Sequence, residues 1–159
     1  MRTAIWILAL ALVGGYLIYG LATVDRRDDE SQIKSMITDT VTAIQKRDLG
    51  GTIQCVSKDY KDSSGTNYDR LRVLVAQAFR MDTEYTASVK EGKLTIKGDR
   101  ATVTLNASVK DAKSGMPIYA RNLTLNLRKE DGHHAMVIPT KMWRVTSVDN
   151  LGLEAQAGF

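Results

Sequence analysis

Polar and apolar positions in this chain follow three successive patterns: an unbroken apolar run, then apolar residues at three- and four-residue spacing, then strict alternation. Residues 3–24 carry no charge, and as a helix these 22 residues would extend about 33 Å, against a bilayer hydrocarbon core of about 30 Å. The run predicts a transmembrane anchor over 1–24, leaving 25–159 as one further domain. A cleaved signal peptide competes with it, since Arg2 gives a basic start and Gly20 to Ala22 resembles a small-x-small cleavage site. The run exceeds the usual apolar core of a signal peptide, about 7–15 residues, which favours an uncleaved anchor. Arg26, Arg27 and Lys34 downstream outnumber Arg2 and by count alone oppose export of the domain. A short basic start followed at once by an apolar run nevertheless behaves as an export signal. The expectation is a single-pass protein, of the bacterial inner-membrane kind, with its domain in the periplasm or outside.

Past the anchor, Ile33, Met36, Ile37, Thr40, Val41 and Ile44 recur at helical spacing from a start at Asp29; the helix should end near Lys46 and Arg47, before Gly50 and Gly51 break the pattern. A second, shorter helix is expected to place Ile53, Val56 and Tyr60 on one side. Residues 61–67 read as a turn. Thr66 or Asn67 can then cap a third helix with Leu71, Leu74, Val75, Ala78 and Phe79 as its buried stripe.

From Thr83 the period shortens to two. Tyr85, Ala87 and Val89 alternate with polar residues, a turn is expected at Glu91 and Gly92, and Leu94 and Ile96 follow. Ala101, Val103, Leu105, Ala107 and Val109 alternate strictly with Thr102, Thr104, Asn106 and Ser108, the signature of a strand with one wet face. Tyr119, Leu123, Leu125 and Leu127 repeat it against Asn122, Thr124 and Asn126, and residues 143–148 form a last strand. Helices followed by a meander predict an α+β domain with three helices packed on a curved antiparallel sheet.

Composition narrows the function more than the fold. The single cysteine, Cys55, excludes an intrachain disulfide and sits in apolar sequence, so it reads as core. His133 and His134 are adjacent, read as a hairpin loop between strands, and have no second ligand cluster, so no metal site is assigned. No phosphate-binding loop, dinucleotide fingerprint or nucleophile elbow occurs, and no cofactor is implied. The net charge of +4 raises the question of anionic partners. Lys90, Lys93, Lys97 and Arg100 cluster without an aromatic stacking series or a basic helix, which argues against nucleic acid and for a solvated sheet edge.

The run 56–65 (VSKDYKDSSG), the strand start 98–103 (GDRATV) and the closing 142–145 (MWRV) carry a resemblance. Over residues 30–150 the chain resembles the nuclear-transport-factor-2-like superfamily of cone-shaped, cystatin-like domains. That resemblance implies a helix-lined cone. In enzymes of the superfamily, such as ketosteroid isomerases, polyketide cyclases and scytalone dehydratase, Asp, His or Tyr projects into the cavity. It also has membrane-anchored members that serve as scaffold subunits of envelope secretion systems or accompany lipid-import systems.

Here the inward strand positions carry Val, Leu and Ala, with no carboxylate or imidazole. Tyr60, Asp62, Tyr85, Tyr119 and Trp143 are the candidates for a pocket wall, against the plainer reading that the aromatics fill the core and Asp62 caps a turn. No catalytic residue is assigned. The favoured function is a non-catalytic, membrane-anchored interaction or scaffold domain, either homodimeric or docked on an envelope protein. Its interface would be the outer sheet face of Thr102, Thr104, Asn106, Thr124 and Asn126, whose short side chains lose little entropy on docking. The alternatives are a small apolar-ligand-binding domain and, less favoured, a cone-fold isomerase, dehydratase or cyclase.

Overall fold

The structure, a computed structural model, describes residues 28–80, 84–134 and 138–152. The apolar run 3–24 lies outside them; among the described residues no helix is long and apolar enough to cross a membrane. The chain forms two compact units. Asp28–Lys129 with Trp143–Phe159 make one, which holds the core, and the second includes Glu130–Met142.

Among the described residues three helices come first: α1 (Asp29–Gln45), α2 (Leu49–Gln54) and α3 (Tyr68–Arg80). Asp28 caps α1, its carboxylate accepting the Ser31 N–H at 2.8 Å, with Asp29 and Glu30 in the favourable first turn. Ile33 and Ile37 are buried as their spacing predicts. Gly50 and Gly51 do not interrupt the helices; they open α2. A Cβ at Gly51 would come within 2.9 Å of the Ala43 Cβ, so glycine lets α2 pack closely on α1.

The second helix stops at Gln54, so Val56 and Tyr60 are buried from the irregular chain after it. This segment binds the edge of the last strand. Ser57 N–H donates to Val145 O (2.9 Å), Val145 N–H to Cys55 O (2.8 Å) and Lys61 N–H to Thr146 O (3.0 Å), covering backbone that would otherwise be an open edge. Asn67 supplies the α3 cap, accepting the Arg70 N–H at 2.9 Å.

Four strands form an antiparallel meander in the order β1 (Tyr85–Lys97), β2 (Arg100–Asp111), β3 (Pro117–His134) and β4 (Ile138–Asp149). The expected turn at Glu91 and Gly92 is instead a bulge inside β1, where the register slips between Glu91, opposite Leu105, and Leu94, opposite Val103. A Cβ on Gly92 would sit 2.7 Å from Thr104 Oγ1, and that oxygen accepts the Lys93 N–H at 2.8 Å. The bulge thus requires glycine and satisfies its own backbone. β3 runs through His134, so His133 and His134 end a strand rather than occupy a loop: backbone pairing extends past the alternating side chains.

The core lies between the sheet and the helices, with Ile33, Ile37, Val56, Tyr60, Ala101, Val103, Leu105, Leu123, Leu127, Trp143, Val145 and Val148 in one buried cluster. Two expectations fail here. No residue of α3 is buried: Leu71, Leu74, Val75 and Phe79 are half-buried and Ala78 is exposed. Leu125, expected to be buried with Leu105 and Val145, is also only half-buried. Leu71, Val75 and Leu125 instead line an unfilled space.

Candidate functional site

That space is an apolar cavity of ≈ 230 Å³, open to solvent on one side. Each layer contributes to its wall: Met36, Val41 and Ile44 from α1, Leu71 and Val75 from α3, and Val89, Leu105, Ala107, Leu123, Leu125 and Val145 from the four strands. Alternation drives these strand residues inward, and the helical stripe faces them. Large side chains meet and fill the interior at one end, where Val103 and Leu127 are each only 2 % exposed. At the other end Ala107 and Leu125 leave a gap.

Polar side-chain atoms in the wall belong to Thr40, Thr52, Cys55 and Tyr60, and each has a protein partner. Thr40 Oγ1 donates to Met36 O (2.7 Å), Thr52 Oγ1 to Asp48 O (2.7 Å), and Cys55 Sγ to Thr52 O (3.5 Å). Burial raises the Cys55 thiol pKa, which keeps it protonated and unreactive. The Tyr60 hydroxyl points away from the cavity and donates to Asp62 Oδ2 at 3.3 Å. The wall therefore offers hydrocarbon, with no polar group left for a ligand.

Of the five expected pocket residues, Tyr60 alone lines the cavity. Asp62 is buried below it as the hub of a turn, accepting from Ser64 Oγ (2.7 Å), Thr66 N–H (2.8 Å) and the Tyr60 hydroxyl. Burial alone would raise its carboxyl pKa; the Ser64 hydroxyl, Thr66 N–H and Tyr60 hydroxyl outweigh that and hold it below the usual range. For Tyr60, burial and then the Asp62 charge push the phenol far up, so it stays neutral.

Tyr85 fastens the end of α1, its hydroxyl donating to Ile44 O (3.3 Å) and its ring facing Arg47. Trp143 is buried and donates from Nε1 to Asp29 Oδ1 (3.2 Å); Asp29 is also paired with Lys129 at 2.6 Å, and that pairing foremost holds the Asp29 carboxyl low. Tyr119 donates to Leu151 O (3.1 Å) and so props a residue of the cavity wall. These aromatics hold the shell around the cavity.

On the opposite face of the sheet, register sets Thr102 opposite Asn126, Thr104 opposite Thr124 and Asn106 opposite Asn122. The row is hydrogen-bonded within itself: Asn106 Nδ2 donates to Asn122 Oδ1 (2.8 Å), and Asn126 Nδ2 reaches Ser147 Oγ (3.0 Å) and Asp149 Oδ2 (3.2 Å). Among the described residues no group of His, Cys, Asp or Glu is placed to hold a metal.

Arg121 is the residue that the sequence pattern passed over. It occupies the inward parity of β3, two residues before Leu123, and interrupts the apolar series there. A charge at an inward position is the signal that would have found it.

No protein-family model and no curated protein matches the chain. Solved structures do. A domain of unknown function with a cystatin-like fold from Nostoc punctiforme aligns over 80% of this chain and 81% of its own, at 15% identity and a TM-score of 0.61. An NTF-2-like protein of unknown function from Shewanella oneidensis aligns over 76% and 97%, at 13% identity and a TM-score of 0.60. A ketosteroid isomerase-like protein from Erwinia carotovora atroseptica aligns over 77% and 95%, at 16% identity and a TM-score of 0.53. At such identities the likeness is one of fold: the domain has the nuclear-transport-factor-2-like, cystatin-like α+β fold.

Proposed function

We propose that this chain is a membrane-anchored, non-catalytic domain of the cell envelope that holds a small apolar ligand in its cone. One observation carries the ligand: the cavity is open, and every polar side-chain atom in its wall is satisfied from within the protein. Such a site rewards burial of hydrocarbon and offers no group to abstract or donate a proton. A comparable engineered cavity of about 150 Å³ admits benzene, so the space here suits about nine non-hydrogen atoms, with more able to protrude. Support for the anchor is the uncharged run 3–24, and a membrane is a source of such ligands.

The test is binding of 1-octanol to the full-length chain in nanodiscs of zwitterionic lipid, with empty nanodiscs as the blank. Saturable binding that Ala107→Leu abolishes is expected. Binding no greater than partition into empty nanodiscs would refute the ligand.

A second reading, the interaction module, keeps one specific observation in its favour. Thr102, Thr104 and Asn106 are exposed on the outer sheet face, and Met116 (68 % exposed) and Ile118 (57 % exposed) project at the β2–β3 hairpin. Sedimentation of the native chain beside Thr102→Arg and Asn106→Arg separates a dimer through this face from a monomer. A native monomer at high micromolar concentration, unchanged in either variant, would exclude self-association there.

A further inference from the structure

Arg121 stands beside the cavity, next to residues of its wall. Strand parity puts Arg121 on the same face as Leu123 and Leu125, and register sets it opposite Ala107; all three line the cavity. Its guanidinium lies against Gly152, where a Cβ would come within 2.6 Å of Nε. Gly152 follows Leu151, another wall residue, and has φ +70°, a backbone conformation that also favours glycine. The Tyr119 hydroxyl fixes Leu151 O from below, so the rim that receives the guanidinium is itself anchored. Burial raises the Tyr119 phenol pKa, and the nearby Arg121 charge opposes that rise. Arg121 is exposed, and among the described residues no carboxylate forms an ion pair with it.

We propose that the ligand is a small amphipathic carboxylate, with its hydrocarbon tail in the cavity and its head on the Arg121 guanidinium at the rim. This rests on the cavity's being a site for a small apolar ligand, and it adds the ligand's charge and orientation. An arginine fork presents two parallel N–H donors that match a carboxylate. A neutral apolar molecule makes no use of them, and an amine head would be repelled. The tail accounts for the wall and the head for the Arg121 charge beside it.

The experiment compares octanoate with 1-octanol on the full-length chain in zwitterionic nanodiscs, for the native protein, Arg121→Gln and Arg121→Lys. Octanoate should bind the native chain about five- to tenfold more tightly than Arg121→Gln, with Arg121→Lys between them. Binding of 1-octanol should be equal in all three, which also shows that the variants are folded. If a variant fails that control, added salt on the native chain decides: it should weaken octanoate and leave 1-octanol unchanged. Octanoate binding that ignores both Arg121→Gln and salt, while 1-octanol still binds, overturns the head-group assignment and leaves the apolar site standing. Absence of saturable binding for both ligands overturns the site and this inference together.

Discussion

The two ends of the core are built from the same strands by the same alternation, yet one is packed solid and the other is hollow. At the closed end Ala101, Val103 and Leu127 are almost fully buried, and the Asp29–Lys129–Trp143 cluster lies beside them. Toward the open end Ala107, Val109 and Leu125 are half-buried, and α3 contributes no buried residue. Alternation decides which side chains point inward. Whether they meet depends on how closely the helices approach, and α3 stands off.

The contrast is sharpest for leucine truncation. Leu127→Ala should cost about 2–5 kcal/mol, because its neighbours cannot collapse into the hole, whereas Leu125→Ala should cost at least about 1 kcal/mol less, since that side chain already borders empty space. Urea denaturation of both variants measures the difference, and equal costs would mean that the cavity is filled in solution.

Enlargement should reverse the sensitivity. Ala101→Leu overpacks the closed end at about 1–3 kcal/mol, while Ala107→Leu grows into the cavity and should change stability by less than about 0.5 kcal/mol. A comparable loss from both would remove the distinction between the ends.

The two paired carboxylates, Asp62 and Asp29, should show in acid. Asp62 and Asp29 have carboxyl pKa values lowered in the folded state, so the native state binds fewer protons than the unfolded chain. Their contribution is present above the unfolded value of about 4 and is lost as pH falls through the folded values. Stability measured at pH 7 and at pH 3 should therefore fall. Asp62→Asn should be destabilised at neutral pH by about 1–3 kcal/mol and should show a shallower fall, and an unchanged slope would remove Asp62 from the account.

The smallest effect belongs to the outer face. Thr102→Arg and Asn106→Arg should each shift stability by no more than about 0.5 kcal/mol, as expected for exposed positions away from the core. Thermal unfolding checks this alongside sedimentation.

Local pattern was sufficient wherever one periodicity had no competitor. Spacing alone determined α1 and the inward set on β2, because a half-buried strand tolerates only one registration of its apolar face. It also supplied the uncharged run 3–24 and an inward face without carboxylate or imidazole. Tertiary structure decided what depends on distance between elements. Gly51 and Gly92 read locally as breaks; they are in fact a close helix contact and a bulge over Thr104. Asp62 and Tyr60 could have faced a pocket or a turn, and the fold joined them to each other, leaving hydrocarbon for the cavity wall. The cavity and the placement of Arg121 at its rim arise from the separation between α3 and the sheet, and periodicity specifies which face a residue takes, not how far away the opposing layer lies.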